Sequence, residues 1–313
     1  MGIFQRFTRL LRRRRLVSRR PAEFVDLLDD LVTVPIHGGD LRIRLDPDDS
    51  LELRRQPFEP SEVGFVKRQI QAGQTVLDVG ANIGYYTLLF SRLVGERGRV
   101  IAFEPDPNNF TLLCRNLADN QCDNVIPHQR AVGAEQTTLK LYQCAGNNGM
   151  HRAYESICCG DAFVNVEAVV LDDFLADEPR IDFLKMDIEG FELFALQGMH
   201  QLLDRHCPKI LTEFSPSALT EAGVTATAFV QFFVQRDYAI SLVPASANGE
   251  PVPQGVSELL EKAHIFDEKA TSFLSRNRCR DLQEFGGHLV TAFDKMGKPF
   301  EVLQNWICEK KEQ

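Results

Sequence analysis

The chain of 313 residues is long enough to bury a substantial core in one enlarged domain or in two smaller ones. Hydrophobic residues make up 44% of it and charged residues 25%, as in ordinary globular proteins, and no apolar run reaches the roughly 18 residues of a membrane span. A formal net charge of −9 argues against a broad nucleic-acid-binding surface, so we predict no nucleic-acid partner.

The first 20 residues differ from the rest in charge. They carry eight arginines and no acidic residue, which leaves −17 for residues 21–313. Apolar residues lie among the arginines, so this basic head (residues 1–20) is either an amphipathic helix on an anionic membrane or a solvated tail. No apolar segment of the signal-peptide type follows it. We therefore predict a cytoplasmic protein, with peripheral membrane contact through residues 1–20 as the open alternative.

The cysteine pattern fits the same compartment. The eight cysteines show no Cys-x-x-Cys pair and no Cys/His spacing typical of a metal site. Adjacent Cys158 and Cys159 offer a strained vicinal disulfide, but two free thiols are the simpler interpretation. We expect reduced cysteines.

Residues 21–56 form a predicted N-terminal segment. A short helix at Phe24–Val32 is followed by an extended pair of strands. Within that pair, Leu41–Leu45 alternates apolar and charged residues, as a half-exposed strand does. A further helix begins at Pro60 or Ser61 and precedes the main series of elements.

From residue 75 onward, apolar strands alternate with amphipathic helices. The predicted elements are strand 75–80, helix 84–94, strand 99–104, helix 107–119 and strand 125–132, then strands 137–142, 166–171, 181–187, 209–214 and 238–243, with helices at 172–175, 191–203 and 224–236. This alternation predicts an α/β fold with a doubly wound, mostly parallel sheet and helices on both faces. Ligands of such folds bind at the carboxyl ends of the strands. Four acidic residues lie at such ends: Asp78, Glu104, Asp187 and Glu213.

Two segments interrupt the alternation. Residues 143–161 form a long loop with little periodicity, and loops of that length tend to be functional or mobile. Beyond two prolines, residues 256–313 have an amphipathic, helical pattern. We therefore predict a main domain at residues 57–248 and a helical C-terminal extension at residues 249–313.

The turn after the first strand of the main domain carries a cofactor motif, Asp78-x-Gly80-x-Asn82-x-Gly84. Glycines let backbone approach a ligand, and Asn82 tolerates a positive φ. A dinucleotide site reads Gly-x-Gly-x-x-Gly, because a pyrophosphate lies on a helix N-terminus. The Asp78 carboxylate would repel a pyrophosphate but attract the ammonium of a methionine moiety. The turn resembles motif I of the class I S-adenosylmethionine-dependent methyltransferases, with Asn82 in place of the usual middle glycine.

Glu104 supports the same cofactor. It ends the second strand of this unit 20 residues beyond Gly84, where an acid accepts two hydrogen bonds from a ribose diol. Turn, helix and terminal acid in this order predict an adenosine-containing ligand. We therefore predict S-adenosylmethionine, bound by Gly80, Asn82, Gly84 and Glu104 together with Asp78 and Asp187.

A second group of carboxylates follows the strand 181–187. Asp187 ends this apolar strand, and Glu189 faces the same side for as long as the strand continues. Glu192 falls in the first turn of the next helix, where an acid is favoured by the helix dipole. In a purely structural interpretation, one of these acids caps the helix and the others are solvated. This interpretation is sufficient for Glu192, but it does not account for Asp187, which ends an apolar strand beside the predicted cofactor.

Taken together, the motifs resemble the FkbM-type methyltransferases, small-molecule O-methyltransferases with a class I, Rossmann-like fold. The resemblance covers about residues 57–216. It implies methyl transfer from S-adenosylmethionine to a hydroxyl, often on a sugar or a secondary metabolite. Six segments in a specific order carry it: Phe58–Pro60, Asp78–Thr87, Phe103–Asp106, Val170–Asp173, Leu184–Glu192 and Glu213.

We assign catalysis to Asp187, Glu189 and Glu213. An alcohol oxygen is a poor nucleophile until its proton leaves, so Asp187 or Glu189 is the candidate general base. Alternatively, Asp187 and Glu213 on neighbouring strands hold a Mg²⁺ ion that orients hydroxyls. We favour the base and predict no metal, with Mg²⁺ as the alternative.

The predicted acceptor is a small molecule or glycan that lies under the loop 143–161. Asn147, Asn148 and His151 offer neutral donors and acceptors suited to hydroxyls, although a lone histidine in a loop is more often a solvated residue. Trp306 has the character of a packing residue. Two other classes stay open: a NAD-dependent oxidoreductase, which should show a third glycine, and a non-catalytic adaptor that retains the fold.

Overall fold

The described part of the chain, in a computed structural model, comprises residues 31–36, 39–55, 57–156, 159–244, 246–276 and 304–311. The predictions for the basic head and for residues 24–30 lie outside it. Leu31 and Val32, predicted to end a helix, instead begin a strand. The cause is pairing, because Leu31–Ile36 runs antiparallel to Gly39–Arg44 over its whole length.

The helices and strands follow the predicted alternation closely. The strands are β1 (Leu31–Ile36), β2 (Gly39–Arg44), β3 (Thr75–Val79), β4 (Arg99–Phe103), β5 (Val125–His128), β6 (Ala131–Val132), β7 (Thr137–Tyr142), β8 (Phe163–Val169), β9 (Phe183–Met186), β10 (Lys209–Phe214), β11 (Tyr238–Leu242), β12 (Val252–Pro253) and β13 (Gln304–Lys310). The helices are α1 (Pro60–Gln69), α2 (Tyr85–Val94), α3 (Pro107–Asp119), α4 (Leu171–Phe174), α5 (Glu192–Gln197), α6 (His200–His206), α7 (Pro216–Glu221), α8 (Ala226–Val234) and α9 (Val256–Arg276).

A central sheet of eight strands has the order β12-β11-β13-β10-β9-β3-β4-β5. Its middle, from β5 to β10, is parallel, so the carboxyl ends of β3, β4, β9 and β10 lie along one edge. All five residues of β3 are buried, as expected for a parallel strand covered on both faces. The predicted α/β class is confirmed.

Helices cover both faces of the sheet and form two apolar cores. On one face, Phe65 of α1 and Phe90 of α2 pack with Phe183 of β9. On the other face, Phe229 of α8 packs against Phe214 of β10. The sheet therefore lies between two cores, and its carboxyl edge is left to form a site.

The C-terminal segment is helical in one part and extended in another. Residues 256–276 form α9, as expected, whereas β13 is a strand inserted antiparallel between β10 and β11. A wholly helical extension is therefore wrong. Trp306 and Ile307 are both fully buried, on opposite faces of the sheet, because the strand lies inside the sheet. Among the described helices, none is long and apolar enough to cross a bilayer.

A second, three-stranded sheet, β6-β8-β7, precedes the strand β9 in sequence. The predicted strand 125–132 is split between the two sheets, since β5 ends at His128 and β6 pairs with β8. The loop 143–161 leaves this small sheet and returns to it. A disulfide between Cys144 and Cys159 closes the loop, so the expectation that all cysteines are reduced is wrong for this pair.

Candidate functional site

The turn between β3 and α2 contains three residues in the left-handed region. Gly80, Asn82 and Gly84 have φ angles of 84°, 52° and 97°. A side chain at position 80 would collide with the backbone oxygen of Asp187, so glycine is needed here to pack the turn against the end of β9. The N–H of Gly80 also donates to the carbonyl of Phe103 at 3.0 Å. The turn is thereby fixed to both neighbouring strands.

Glu104 is buried immediately after β4, where it lines a cleft. One carboxylate oxygen accepts the N–H of Asn82 at 2.8 Å and the other accepts that of Asp106 at 2.9 Å. Burial raises the pKa of Glu104 to about 8, and the charge of Asp106 adds to the rise, while these N–H groups oppose it. Because each carboxylate oxygen has two lone pairs, both oxygens keep a position for a further donor.

The cleft lined by Glu104 has an interior of about 70 Å³ and lies over the carboxyl ends of β3, β4 and β9. We call it the first cleft. Five predicted site residues meet in its wall: Gly80, Asn82, Glu104, Asp187 and Glu189. Gly84 caps α2 behind the turn and does not line the cleft.

Asp78 lies beneath the first cleft instead of in its wall. Its side chain is fully buried, and one carboxylate oxygen accepts the hydroxyl of Thr87 at 2.6 Å. Burial raises the pKa of Asp78, while the nearby charge of Lys185 lowers it. The other carboxylate oxygen has no hydrogen-bond partner among the described residues. The expected interaction with a methionine ammonium, direct or through water, stays a prediction.

Residues of the loop 143–161 also line the first cleft. Asn148, Gly149 and His151 belong to its wall. Nδ1 of His151 accepts the N–H of Cys144 at 3.2 Å, and burial lowers the pKa of His151. The imidazole is therefore largely shielded from solvent, with its side chain 9% exposed.

Asn109 is a cleft residue that sequence reasoning missed. It lies on α3, nearly fully buried, and its amide nitrogen donates to the carbonyl of Asn148 at 3.1 Å. Its amide oxygen has no hydrogen-bond partner among the described residues. One feature of the sequence could have identified it. Asn109 is a polar residue on the same face of α3 as Leu112 and Leu113, where an apolar residue is expected.

Asp187 and Glu189 lie on a strained turn between β9 and α5. Glu189 has a φ of 60°, which is uncommon for a residue with a side chain, and it pairs with Arg152 of the loop 143–161. Asp187 faces Lys185, whose Nζ lies 3.3 Å from a carboxylate oxygen. The Asp187 side chain keeps 38% exposure, so it is open to a ligand.

Glu192 holds this turn together. One of its oxygens accepts the N–H groups of Ile188 and Gly190, both at 3.1 Å. Burial raises its pKa to about 7. The interpretation of Glu192 as a capping residue agrees with these bonds.

A second, much smaller cleft lies on the far side of Asp187, with an interior of about 10 Å³, the space of about one water molecule. Asp187 lines both clefts, and Glu59, Tyr86 and Glu213 also line the second one. Glu59 accepts the hydroxyl of Tyr86 at 2.7 Å, and burial raises its pKa to about 7, with the charge of Asp187 contributing. The sequence did not single out Glu59 as a site residue.

Glu213 completes the acidic group at the junction of the two clefts. It follows Thr212 on β10, and it can bring one carboxylate oxygen within 4.8 Å of oxygens of Asp187 and Glu189. Burial raises its pKa well above the usual range, and the charges of Glu189 and Asp187 add to the rise. The three residues predicted to be catalytic are therefore brought together.

The sheet order, the glycine turn and the cleft over β3, β4 and β9 define the class I methyltransferase fold. A family model for the methyltransferase FkbM domain matches residues 78–240, just over half of the chain. The chain belongs to the FkbM methyltransferase family.

Named relatives share part of this chain. It is 27% identical to "Methyltransferase 1" of Beauveria bassiana, over 48% of this chain and 73% of the relative. It is 24% identical to "Hexuronic acid methyltransferase AglP" of Haloferax volcanii, over 46% of this chain and 58% of the relative. The crystal structure of methyltransferase FkbM from Methylobacillus flagellatus is similar at 19% identity and a TM-score of 0.38, covering 62% of this chain and 54% of that one.

Proposed function

We propose that this methyltransferase transfers a methyl group from S-adenosylmethionine to a hydroxyl oxygen of a small molecule or glycan. The observation that carries the proposal is the position of Asp187, which lines both clefts. A cofactor in the first cleft and an acceptor hydroxyl that reaches into the second would meet at this carboxylate. Methyl transfer is an in-line displacement, so alignment of the two reacting atoms supplies much of the acceleration.

The residues of the first cleft fit the cofactor. Glu104 retains lone pairs for the two ribose hydroxyls, and the unpartnered amide oxygen of Asn109 accepts a further N–H or O–H donor. Asn148, Gly149 and His151 of the loop line the same cleft. When bound, S-adenosylmethionine supplies the electrophilic methyl group.

Asp187 is the best-placed general base. Glu189 is engaged by Arg152, and Glu213 is buried, whereas Asp187 is partly open at the junction of the clefts. In this proposal Asp187 takes the proton that the acceptor hydroxyl loses. Lys185 holds the carboxylate in place through its hydrogen bond.

The second cleft favours an acceptor rich in hydroxyls and without negative charge. Carboxylates of Glu59, Asp187 and Glu213 accept O–H donors, and the amide of Asn305 offers both donor and acceptor. The relative named a hexuronic acid methyltransferase supports a sugar as the class of acceptor. However, these carboxylates would repel a uronate, so an uncharged sugar or polyol fits this chain better.

Calorimetry with the full chain tests the choice of cofactor. S-adenosylhomocysteine, the demethylated product, should bind, and NAD should not. Glu104→Ala should weaken the binding by on the order of 2–4 kcal/mol, because two charge-assisted hydrogen bonds are lost. Glu135→Ala, at an exposed position, is the matched control and should leave the affinity unchanged.

The possible results separate the alternatives. Unchanged affinity in folded Glu104→Ala protein would contradict the assignment of Glu104. Binding of NAD in place of S-adenosylhomocysteine would favour an oxidoreductase. A folded protein that binds neither ligand would favour a non-catalytic adaptor.

A further inference from the structure

The acidic group at the junction of the clefts has one unsatisfied member. Glu213 is 8% exposed, and its Oε2 atom has no hydrogen-bond partner among the described residues. A buried carboxylate oxygen without a donor is costly, because desolvation is not offset by a new bond. Glu213 lines the second cleft, and one of its carboxylate oxygens belongs to the group formed with Asp187 and Glu189.

The nearby cations do not account for all three carboxylates. Lys185 faces Asp187, and Arg152 faces Glu189, so each of these two acids has one basic partner. Glu213 has no ion pair among the described residues. The group thus contains three acidic side chains and only two basic partners. Glu59 is a further acidic residue in the wall of the second cleft.

We propose that Asp187, Glu189 and Glu213 bind a divalent cation of the Mg²⁺ or Mn²⁺ type. Each residue can contribute one oxygen, and these oxygens lie within 4.8 Å of one another. Ligand sets made of carboxylate oxygens are typical of these hard cations, which fill their remaining positions with water or substrate oxygens. The ion supplies the missing partner of Glu213. This assignment replaces the sequence-based prediction that no metal is bound.

The site is accessible from solution. Asp187 is partly exposed and lines both clefts, so an ion can enter without unfolding the sheet. If the proposed function also holds, an acceptor hydroxyl bound to the ion would lose its proton more readily. Asp187 would then act as a ligand of the ion, and its role as general base would apply to the metal-free protein. That consequence rests on the proposed function, whereas the cation site does not.

Metal binding to the full chain tests the site without reference to turnover. The protein is first freed of metal with a chelator and then titrated with MnCl₂. Binding is measured by calorimetry and by the decrease of the electron paramagnetic resonance signal of free Mn²⁺. We expect one ion per chain in the wild type and at least tenfold weaker binding in Glu213→Gln. Asp187→Asn, at a more exposed position, is the second variant if Glu213→Gln fails to fold. Glu135→Gln is the matched control and should bind as the wild type does.

Two results would overturn the proposal. One is a wild-type protein that takes up no Mn²⁺ at millimolar concentration, which would mean that Glu213 is satisfied by a proton. The other is equal uptake by the wild type and by folded Glu213→Gln or Asp187→Asn, which would place the ion elsewhere. Separate titration with S-adenosylhomocysteine shows whether cofactor binding holds or fails independently of the metal.

Discussion

Glu104 should make cofactor affinity depend on pH. Its pKa is about 8 in the ligand-free protein, raised mainly by burial. Ribose hydroxyls donate to the ionised carboxylate, so binding favours that form and lowers the pKa. Protons are then released on binding, and affinity for S-adenosylhomocysteine should rise between pH 6.5 and 8, by at most about tenfold per pH unit. Calorimetry in two buffers of different ionisation enthalpy measures both the affinity and the released protons.

Glu104→Gln is the matched variant for this prediction. It keeps the shape and removes the titration, so its affinity should change little over the same range. The raised pKa also makes the stability of the ligand-free fold depend on pH. The carboxyl group of Glu104 stabilises the fold most below about pH 4.5, and this contribution is lost as the pH rises towards 8. The melting temperature of the wild type should therefore fall more between pH 5.5 and 8 than that of Glu104→Gln. Proton uptake on binding, or equal pH slopes, would contradict the prediction.

Site residues at strand ends were predictable, and those brought in by distant segments were not. Glu104 and Asp187 each follow an apolar strand, and parallel strands place their carboxyl ends on one edge. Glu59 lies before α1, 128 positions from Asp187 in sequence, and reaches the second cleft through its bond to Tyr86. No local pattern marks such a residue. The preceding phenylalanine and following proline, which resemble the family motif, were the available hint.

The role of the loop 143–161 is testable in solution. The sequence suggests that it selects the acceptor, and Asn148, Gly149 and His151 line the first cleft, where we propose that the cofactor binds. Replacing residues 145–150 with a glycine–serine linker should therefore lower both affinity for S-adenosylhomocysteine and methyl transfer. Calorimetry and a labelled-methyl assay measure the two effects.

The exposed turn between β6 and β7 provides the control for that replacement. Glu135→Gly combined with Gln136→Ser changes a similar surface segment away from both clefts and should leave affinity intact. If the linker variant keeps full cofactor affinity and loses transfer alone, the loop acts on the acceptor, as the sequence first suggested.

Strand β13 was missed because its pattern is ambiguous. Trp306, Ile307 and Cys308 form a short apolar run that is buried on both faces, and periodicity cannot distinguish such a run from a buried helix segment. The strand also pairs with partners far away in sequence, at β10 and β11. Strands β3, β4 and β7 were predictable because each is bounded by turn residues and keeps a local pattern.

Trp306 should be essential for the stability of this part of the sheet. It is fully buried, its ring centroid lies 3.9 Å from that of Phe214, and it also contacts Phe229. Trp306→Ala should lower the free energy of unfolding by about 3–5 kcal/mol, through lost burial and the cavity that remains. Urea denaturation measures this loss.

Ile265→Ala is the comparison for Trp306→Ala. Ile265 lies on α9 with 37% exposure, so its truncation should cost about 0.5 kcal/mol or less. A loss below about 1 kcal/mol for Trp306→Ala would contradict the position of β13 inside the sheet.

At the scale of the whole molecule, the basic head and the rest of the chain carry opposite net charges. Residues 1–20 carry eight positive charges, and residues 21–313 carry −17. An anionic membrane attracts basic segments by roughly 1 kcal/mol per residue near its surface, and it repels an acidic body. Any attraction of the intact chain to anionic vesicles should therefore come from the head, and it should weaken at high salt because the Debye length falls to about 3 Å at 1 M.

Vesicle sedimentation tests whether the basic head accounts for the attraction to anionic membranes. The intact chain should sediment with phosphatidylserine vesicles at 50 mM salt and much less at 500 mM, and it should not sediment with neutral vesicles. Deleting residues 1–20 should abolish sedimentation, while calorimetric affinity for S-adenosylhomocysteine stays the same, because both clefts are built from residues 59–305. A variant with Arg12, Arg13, Arg14 and Arg15 all changed to Gln keeps the apolar residues and isolates the part due to charge. Equal sedimentation of the intact and truncated chains would show that the head is a solvated tail.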